Sequence, residues 1–530
     1  MRAPRVPLSR TAPVLMGAPT AQSGGGASES QCVVALVKNI VGTGVLTLPA
    51  GVSRLSDNGM ASSDALAVAL ALGILIGVLN TYGFVLVGEA CSATGEASYV
   101  GAWRKTLGAQ AAFLPALASL LLCFTAGVSC ATVIADTFTD LLTGAFALGD
   151  GELSRNAVLA VTSATVLFPL CLLPSLAPLG TASLLGVGGV FVTSGAMLAR
   201  YADGSYAPGG ELAELATWVP TFHIDAAPPS AAALPSVGSV CFFVSLLSSA
   251  FVAHYNAPAV YSELAAAPAA SNGGATPSAT EAAAAQASRL SFLGRLRLAQ
   301  RAEAVNDNFR SFIEATRLGL SRRAAATPRM PSDSGLRIAD GVLEDELAAR
   351  QLTSFRRVAA QAFGISALLF ALIAGAGFAT FGDASQALIL ANYAASDPCG
   401  AVARAGVALC VLFEFPLLER PFRLTTLQLL GLEASPGTPE WTASACASCL
   451  LLCGIAALGV QLDLISAVSG STGGALLIYI APALMTLRLD ASDAKGTGGS
   501  TGRALPLWIL AALGVALGAI GTIEELEQLV

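Results

Sequence analysis

The sequence predicts an all-helical membrane protein with many spans. Three observations lead there. Only 12% of the 530 residues are charged, against about 25% in soluble domains. Hydrophobic residues make up 54% of the chain. Charge-free stretches of about 20 residues or more recur from residue 40 to the C-terminus, and such lengths cross a hydrocarbon layer of about 30 Å at 1.5 Å per residue. An ordinary soluble enzyme, a disulfide-stapled secreted domain and a nucleic-acid binder are excluded. So is a β-barrel, because the apolar runs are continuous rather than alternating.

The first thirty residues are rich in Ala, Pro and Ser, with Arg and no acid before Glu29. They read as a disordered tail; a plastid or mitochondrial transit peptide shares that composition. The first span runs from Gln31 to Val52 and the second from Ala65 to Gly88, between Asp64 and Glu89. The third, Ala111 to Ala135, stops at Asp136. Asn156 to Ala199 is charge-free but too long for one crossing, and Pro174, Pro178 and Gly180 break it into a helical hairpin. Further spans are Leu234–Ser262, Val358–Phe381, Val402–Leu418, Trp441–Leu462, Leu464–Leu487 and Ala504–Thr522, eleven in all. The chain therefore divides into a tail (1–30), a helical block (31–264), a long Arg-rich loop (265–357) and a second helical block (358–530).

With the N-terminus in the cytosol, nearly all Lys and Arg fall on the cytosolic side, leaving Arg54, Arg155, Arg200 and Arg404 opposite and Lys38 within the first span. Positive residues favour the cytosolic face, so this orientation is expected. Glu524, Glu525 and Glu527 then lie on the other side. Within the loop, Ser288–Arg323 has a weak apolar row suited to anionic lipid headgroups, or is simply a solvated regulatory loop. Cys446, Cys449 and Cys453 have helical spacing and read as small packing residues rather than metal ligands. No metal or cofactor is expected. No glycine-rich loop of the GK[ST] type suggests a nucleotide site.

The chemistry concentrates in the first span, Val37-Lys38-Asn39-Ile40-Val41-Gly42-Thr43-Gly44-Val45-Leu46-Thr47-Leu48-Pro49. Gly costs about 1 kcal/mol and Pro about 3 in a helix interior. Such a segment is a candidate for an unwound helix at membrane depth. A break frees backbone N–H groups that suit a carboxylate, and carbonyls that suit an ammonium or a small cation. The other reading is a glycine packing notch in a continuous helix.

This segment resembles the signature of the amino acid/auxin permease family, the eukaryotic transporters that include the sodium-coupled neutral and the vacuolar amino acid transporters. The likeness continues through Glu89–Tyr99, Leu173–Gly186, Phe251–Pro258 with Tyr261–Leu264, Gly377–Gly382, and Val468–Gly474 with Ile480–Ala483. The long 265–357 loop departs from it. The resemblance implies a LeuT-like fold in which two sets of five helices form inverted repeats and an eleventh is extra. Helices one and six then correspond, with breaks at matching places. Helix six offers only Ser248, Ser249, Asn256 and Pro258 as break signals.

The implied activity is secondary transport of amino acids, neutral ones being favoured, by alternating access. The substrate would be held by Asn39, Ile40, Val41, Gly42, Thr43 and Gly44, with Ser248 and Ser249 as side-chain contacts. In sodium-dependent relatives, an Asn before the glycine motif and a hydroxyl on helix eight hold sodium. Asn39 matches the first. At the second this chain reads Val411-Leu412-Phe413-Glu414-Phe415-Pro416, without a hydroxyl. Glu414 is instead a carboxyl within an apolar span, costly when ionised and unpaired, and is a candidate to carry a proton. A structural partner for Lys38 or Arg420 is its other reading. His254 is a second candidate for ion coupling, and Lys38, next to the presumed site, either pairs with a carboxylate or, the favoured reading, snorkels to the cytosolic face. The coupling ion is thus a proton, or sodium at Asn39. A non-transporting sensor or scaffold on the same fold is the alternative. Plasma membrane and vacuolar or lysosomal membrane both fit. The expected partners are an amino acid and membrane lipid, with no nucleic acid.

Overall fold

The computed structural model describes residues 28–57, 60–149, 151–174, 177–215, 218–222, 234–265, 334–432, 434–497 and 503–527. The tail before residue 28 and the loop over 266–333, with its expected surface helix, lie outside the described residues. The chain forms two compact units. One includes Glu29–Ser262 and Leu352–Val530, and the other includes Glu263–Gln351. All of the contacts below belong to the first unit.

Among the described residues, seventeen α-helices follow one another. They are α1 (Glu29–Ile40), α2 (Leu48–Ser56), α3 (Ser62–Thr94), α4 (Tyr99–Leu107), α5 (Phe113–Phe146), α6 (Arg155–Thr162), α7 (Phe168–Cys171), α8 (Ala177–Asp203), α9 (Val237–Ala250), α10 (Ala257–Ala265), α11 (Ser334–Phe381), α12 (Pro398–Leu429), α13 (Pro439–Ala457), α14 (Leu462–Ser469), α15 (Ala481–Thr497), α16 (Ala504–Ala516) and α17 (Thr522–Glu527). Among the described residues there is no strand, only one bridge between Thr221 and Gly382. Among the described residues, eight helical segments are long and apolar enough to cross a membrane, and a ninth is the pair α1 and α2, bent by 49°. The chain is a multi-pass membrane protein. The predicted hairpin is the apolar stretch Arg155–Cys171 followed by α8.

The helices outrun the charge-free runs that predicted them. Asp136 was expected to end the third span, yet α5 continues to Phe146, because Arg155 pairs with that carboxylate and offsets its charge. Likewise α11 begins at Ser334, well before Val358. The charges of Glu344, Asp345, Glu346 and Arg350 end a hydropathy window, but Leu, Glu, Ala and Arg are good helix formers. Helix starts follow local chemistry. Asp397 and Thr438 cap α12 and α13, each followed by proline at the first position, and Ser236 caps α9 by accepting from the Ser239 amide at 2.9 Å.

Asp397 also ties α8 to α12. Its buried carboxylate accepts from Arg200 Nε at 3.1 Å, the Tyr206 hydroxyl at 3.0 Å and the Cys399 amide at 2.9 Å. Burial works against the ionised form. The Arg200 guanidinium, Tyr206 and the Cys399 amide outweigh it and hold the pKa below the usual carboxylate value. That stabilisation is therefore present above the unfolded value of about 3.9, and is lost as the pH falls through the lower folded value. Asp397→Asn is expected to lower the Tm at neutral pH by a few degrees. Thermal unfolding in detergent checks this, and the gap between variant and parent should close only in acid, below about pH 4.

Candidate functional site

The first span does come apart. Helix α1 ends at Ile40, Val41 and Gly42 are non-helical, and a 3-10 turn over Thr43–Thr47 leads into α2. Gly42 takes an extended conformation, with φ −120° and ψ −157°. Its amide donates back to the Ile40 carbonyl at 3.1 Å instead of to a helical i−4 partner. Pro49 stands near the start of α2, where a missing N–H costs no hydrogen bond.

The sixth span breaks beside it. Helix α9 ends at Ala250, Phe251 to Ala253 are non-helical, and a 3-10 turn over His254–Asn256 precedes α10. Phe251–Ala253 itself contains neither glycine nor proline. Of the expected signals, Ser248 and Ser249 stand before the break, Asn256 in the turn and Pro258 at the second position of α10. The two breaks touch: a Cβ on Gly44 would stand 3.3 Å from the Ala250 Cα. Asn256 Nδ2 donates to Asn39 Oδ1 at 2.9 Å, linking the segments.

A cavity of about 60 Å³ lies at these breaks. Asn39, Ile40, Gly42, Thr43 and Gly44 line it from the first span, and Ser249 and Tyr255 from the sixth. Glu414 of α12 closes one wall. One carboxylate oxygen of Glu414 would be 2.5 Å from a Cβ on Gly42, so the absent side chain is what lets the carboxyl reach the unwound backbone. The other oxygen, Oε2, is buried without a hydrogen-bond partner. The Cys130 thiol lies beside Thr43 and Glu414. The remaining polar wall comes from α5 and α14: Thr125 Oγ1 donates to Ser469 Oγ at 2.9 Å, and Ser129 and Ser466 lie beside them.

Seven of the expected site residues therefore meet: Asn39, Ile40, Gly42, Thr43, Gly44, Ser249 and Glu414. Three do not line the cavity. Val41 is buried and is not among the lining residues. Ser248 shares a 2.8 Å hydrogen bond with the Tyr479 hydroxyl, to which Asn80 Nδ2 also donates at 3.1 Å. His254 is fully buried, donates from Nε2 to the Asn80 carbonyl at 3.0 Å, and packs edge-on against Phe84 and Phe363. That position joins α3 to the sixth span and does not face the cavity. Lys38 does not snorkel: its ammonium is buried, without a hydrogen bond, within electrostatic reach of Glu414. Sequence reasoning missed Thr125, Ser129, Tyr255, Ser466 and Ser469. Small hydroxyls are common in apolar helices as packing residues, so only the turn of each helix picks these out.

The cysteines also sort differently. Cys449 faces Cys171 and Glu419, whose ligating atoms lie within 4.8 Å of one another, rather than Cys446 or Cys453. Glu419 is already paired there with Arg423 at 3.0 Å, so the cluster reads as a buried ion pair with two thiols packed on it.

Two broken spans that meet at a cavity with both polar and apolar walls define a class: helical membrane proteins whose unwound segments can hold a small solute. The family model described as transmembrane amino acid transporter protein matches residues 25–273 and 342–525. The chain belongs to that family, one of membrane transporters rather than enzymes. A Danio rerio protein provisionally named sodium-coupled neutral amino acid transporter 11 is 27% identical over 175 residues, which is 33% of this chain and 37% of the length of that relative. Among solved structures, a manganese transporter mutant from Eremococcus coleocola aligns over 98% of this chain and 90% of its own at 12% identity, with a TM-score of 0.44. A second mutant of that transporter aligns over 98% and 100%, at 11% identity and a TM-score of 0.41.

Proposed function

We propose that the protein carries neutral amino acids across a membrane by alternating access, driven by a proton held at Glu414. The observation that carries this reading is the contact of the Glu414 carboxyl with the backbone at Gly42, where the first span is unwound. The broken segment supplies peptide groups for the carboxylate and ammonium of a zwitterion. Glu414 is the one charged residue among those lining the cavity. With that carboxyl assigned to the proton, nothing there pairs with a charged side chain, so neutral substrates are favoured. Family membership supports amino acids as the cargo. The reading includes the eleven-span inverted-repeat arrangement, with the two breaks in corresponding helices, and a cytosolic N-terminus.

The relative's name carries sodium coupling. In this chain Asn39 Oδ1 is already engaged by Asn256, and Val411–Pro416 offers no hydroxyl. A proton at Glu414 therefore fits the cavity better than sodium at Asn39.

Purified protein in liposomes tests the reading, with equal sodium on both sides and an inward gradient of one pH unit. That gradient is worth about 1.4 kcal/mol per proton, or about ten-fold accumulation at the limit. The parent protein should accumulate neutral amino acids in response. Glu414→Gln should bind them and lose the response. Parent uptake that ignores the gradient discards proton coupling. Binding without uptake discards transport in favour of a sensor.

A further inference from the structure

The end of the chain holds a second buried carboxyl that the central cavity does not use. Helix α17 reads Thr522-Ile523-Glu524-Glu525-Leu526-Glu527. Charge counting places all three glutamates on the non-cytosolic side, yet Glu525 is 1% exposed. Its Oε2 accepts from Ser471 Oγ at 2.6 Å. Its Oε1 has no hydrogen-bond partner. Ser245 Oγ of α9 lies beside the same carboxylate without a directed hydrogen bond, and has no other partner. Thr522 Oγ1 is 3.4 Å from Ser471 Oγ.

These orphan oxygens converge on Gly521. A Cβ at Gly521 would stand 3.0 Å from Ser245 Oγ and 3.7 Å from Glu525 Oε1. Gly470 lets the backbones meet at the same level, since a Cβ there would collide with the Ser245 carbonyl. The nearby Glu524 turns away, its carboxylate packed on Gly238. No ion pair to Glu525 is found among the described residues. A buried carboxylate without a counter-charge costs several kcal/mol, and a bound cation removes that cost. The donors here are one carboxylate and three hydroxyls. Hard oxygen donors of this kind suit a small hard cation rather than a soft metal.

We propose that Ser245, Ser471, Thr522 and Glu525 form a sodium site between α9, the π-helical segment Gly470–Ile480 and α17, separate from the central cavity. Ser245 lies one helical turn before Ser249, and Ser471 two residues after Ser469; both Ser249 and Ser469 line the cavity. Sodium here braces α9, which carries Ser249, and the π-helical segment that continues α14 directly after Ser469. The site goes beyond the transport reading and is tested by binding alone.

The experiment uses the full chain in detergent, with sodium chloride exchanged for choline chloride at constant ionic strength and the Tm followed against sodium. The parent Tm should rise with sodium and saturate. Glu525→Gln should raise the half-saturating sodium concentration about ten-fold or more. Ser245→Ala and Gly521→Ala, which remove a donor and fill the meeting point, should raise it several-fold. Asn39→Ala should keep the parent response. If Glu525→Gln fails to fold, the other two variants decide. The proposal is overturned by a parent Tm indifferent to sodium, or by Ser245→Ala and Gly521→Ala titrating like the parent. A response lost in Asn39→Ala but kept in Glu525→Gln assigns sodium to the central site and equally overturns it.

Discussion

Gly42→Ala is expected to yield a folded protein that no longer carries substrate. A methyl group at residue 42 would stand 2.5 Å from Glu414 Oε1, so one of the two groups must move. The carboxylate is the far end of a flexible side chain and can swing aside, whereas the backbone at the break is held by its neighbours. The conformation at Gly42 is extended and open to alanine, so no backbone strain is added. The change in stability should therefore stay within about 1 kcal/mol. Uptake should fall about a hundred-fold, the usual scale for displacing a critical group by about 1 Å. Tm and proteoliposome uptake, measured on the same preparation, check both halves. Near-normal uptake in Gly42→Ala would remove Glu414 from the mechanism.

The second large effect is on folding, and two adjacent glycines separate it from a trivial one. Helices α8 and α12 cross with their backbones in contact at Gly189 and Gly406. A Cβ on Gly406 would lie 2.5 Å from the Gly189 carbonyl oxygen, and a Cβ on Gly189 would strike the Gly406 backbone. Gly186 repeats the pattern one turn away, where a Cβ would lie 2.9 Å from the Cys410 Cα. In lipid, such close approach of small residues is a main source of helix association. Gly189→Leu must push α12 away, with Glu414 on it, and should cost more than about 3 kcal/mol. A Cβ at Gly188 meets nothing within 4 Å. Gly188→Ala should be neutral or stabilise by up to about 1 kcal/mol. Size-exclusion profiles and Tm of the two variants in detergent provide the check. Equal behaviour of the pair would show that this crossing does not hold the bundle together.

Much of the molecule was legible because lipid restricts the answers. A long apolar run must be a helix, so the spans could be read from hydropathy. Their ends could not, since paired charges such as Asp136 with Arg155 let a helix run on. The first break was legible in Gly42 and Gly44. The second was not, because Phe251–Ala253 contains neither glycine nor proline, and tertiary contacts rather than propensity open it. Glu414 stood out as a carboxyl in an apolar span. Adjacent serines behaved differently: Ser249 faces the cavity and Ser248 faces Tyr479. Neighbours on a helix point about 100° apart, and only the rotation of α9 in its bundle separates them.

Composition and spacing alone determined that this chain lives in a membrane, that its opening helix is weak at Gly42 and Gly44, and that one carboxyl lies within an apolar span. All are local properties, fixed by the cost of leaving peptide groups or charge unsatisfied in hydrocarbon. The tertiary structure decided where the sixth span opens, that Glu414 meets Gly42, that hydroxyls of α5 and α14 complete the wall, and that Glu525 is buried among serines. Each joins residues far apart in the chain, and a single sequence records neither helix rotation nor which helices are neighbours.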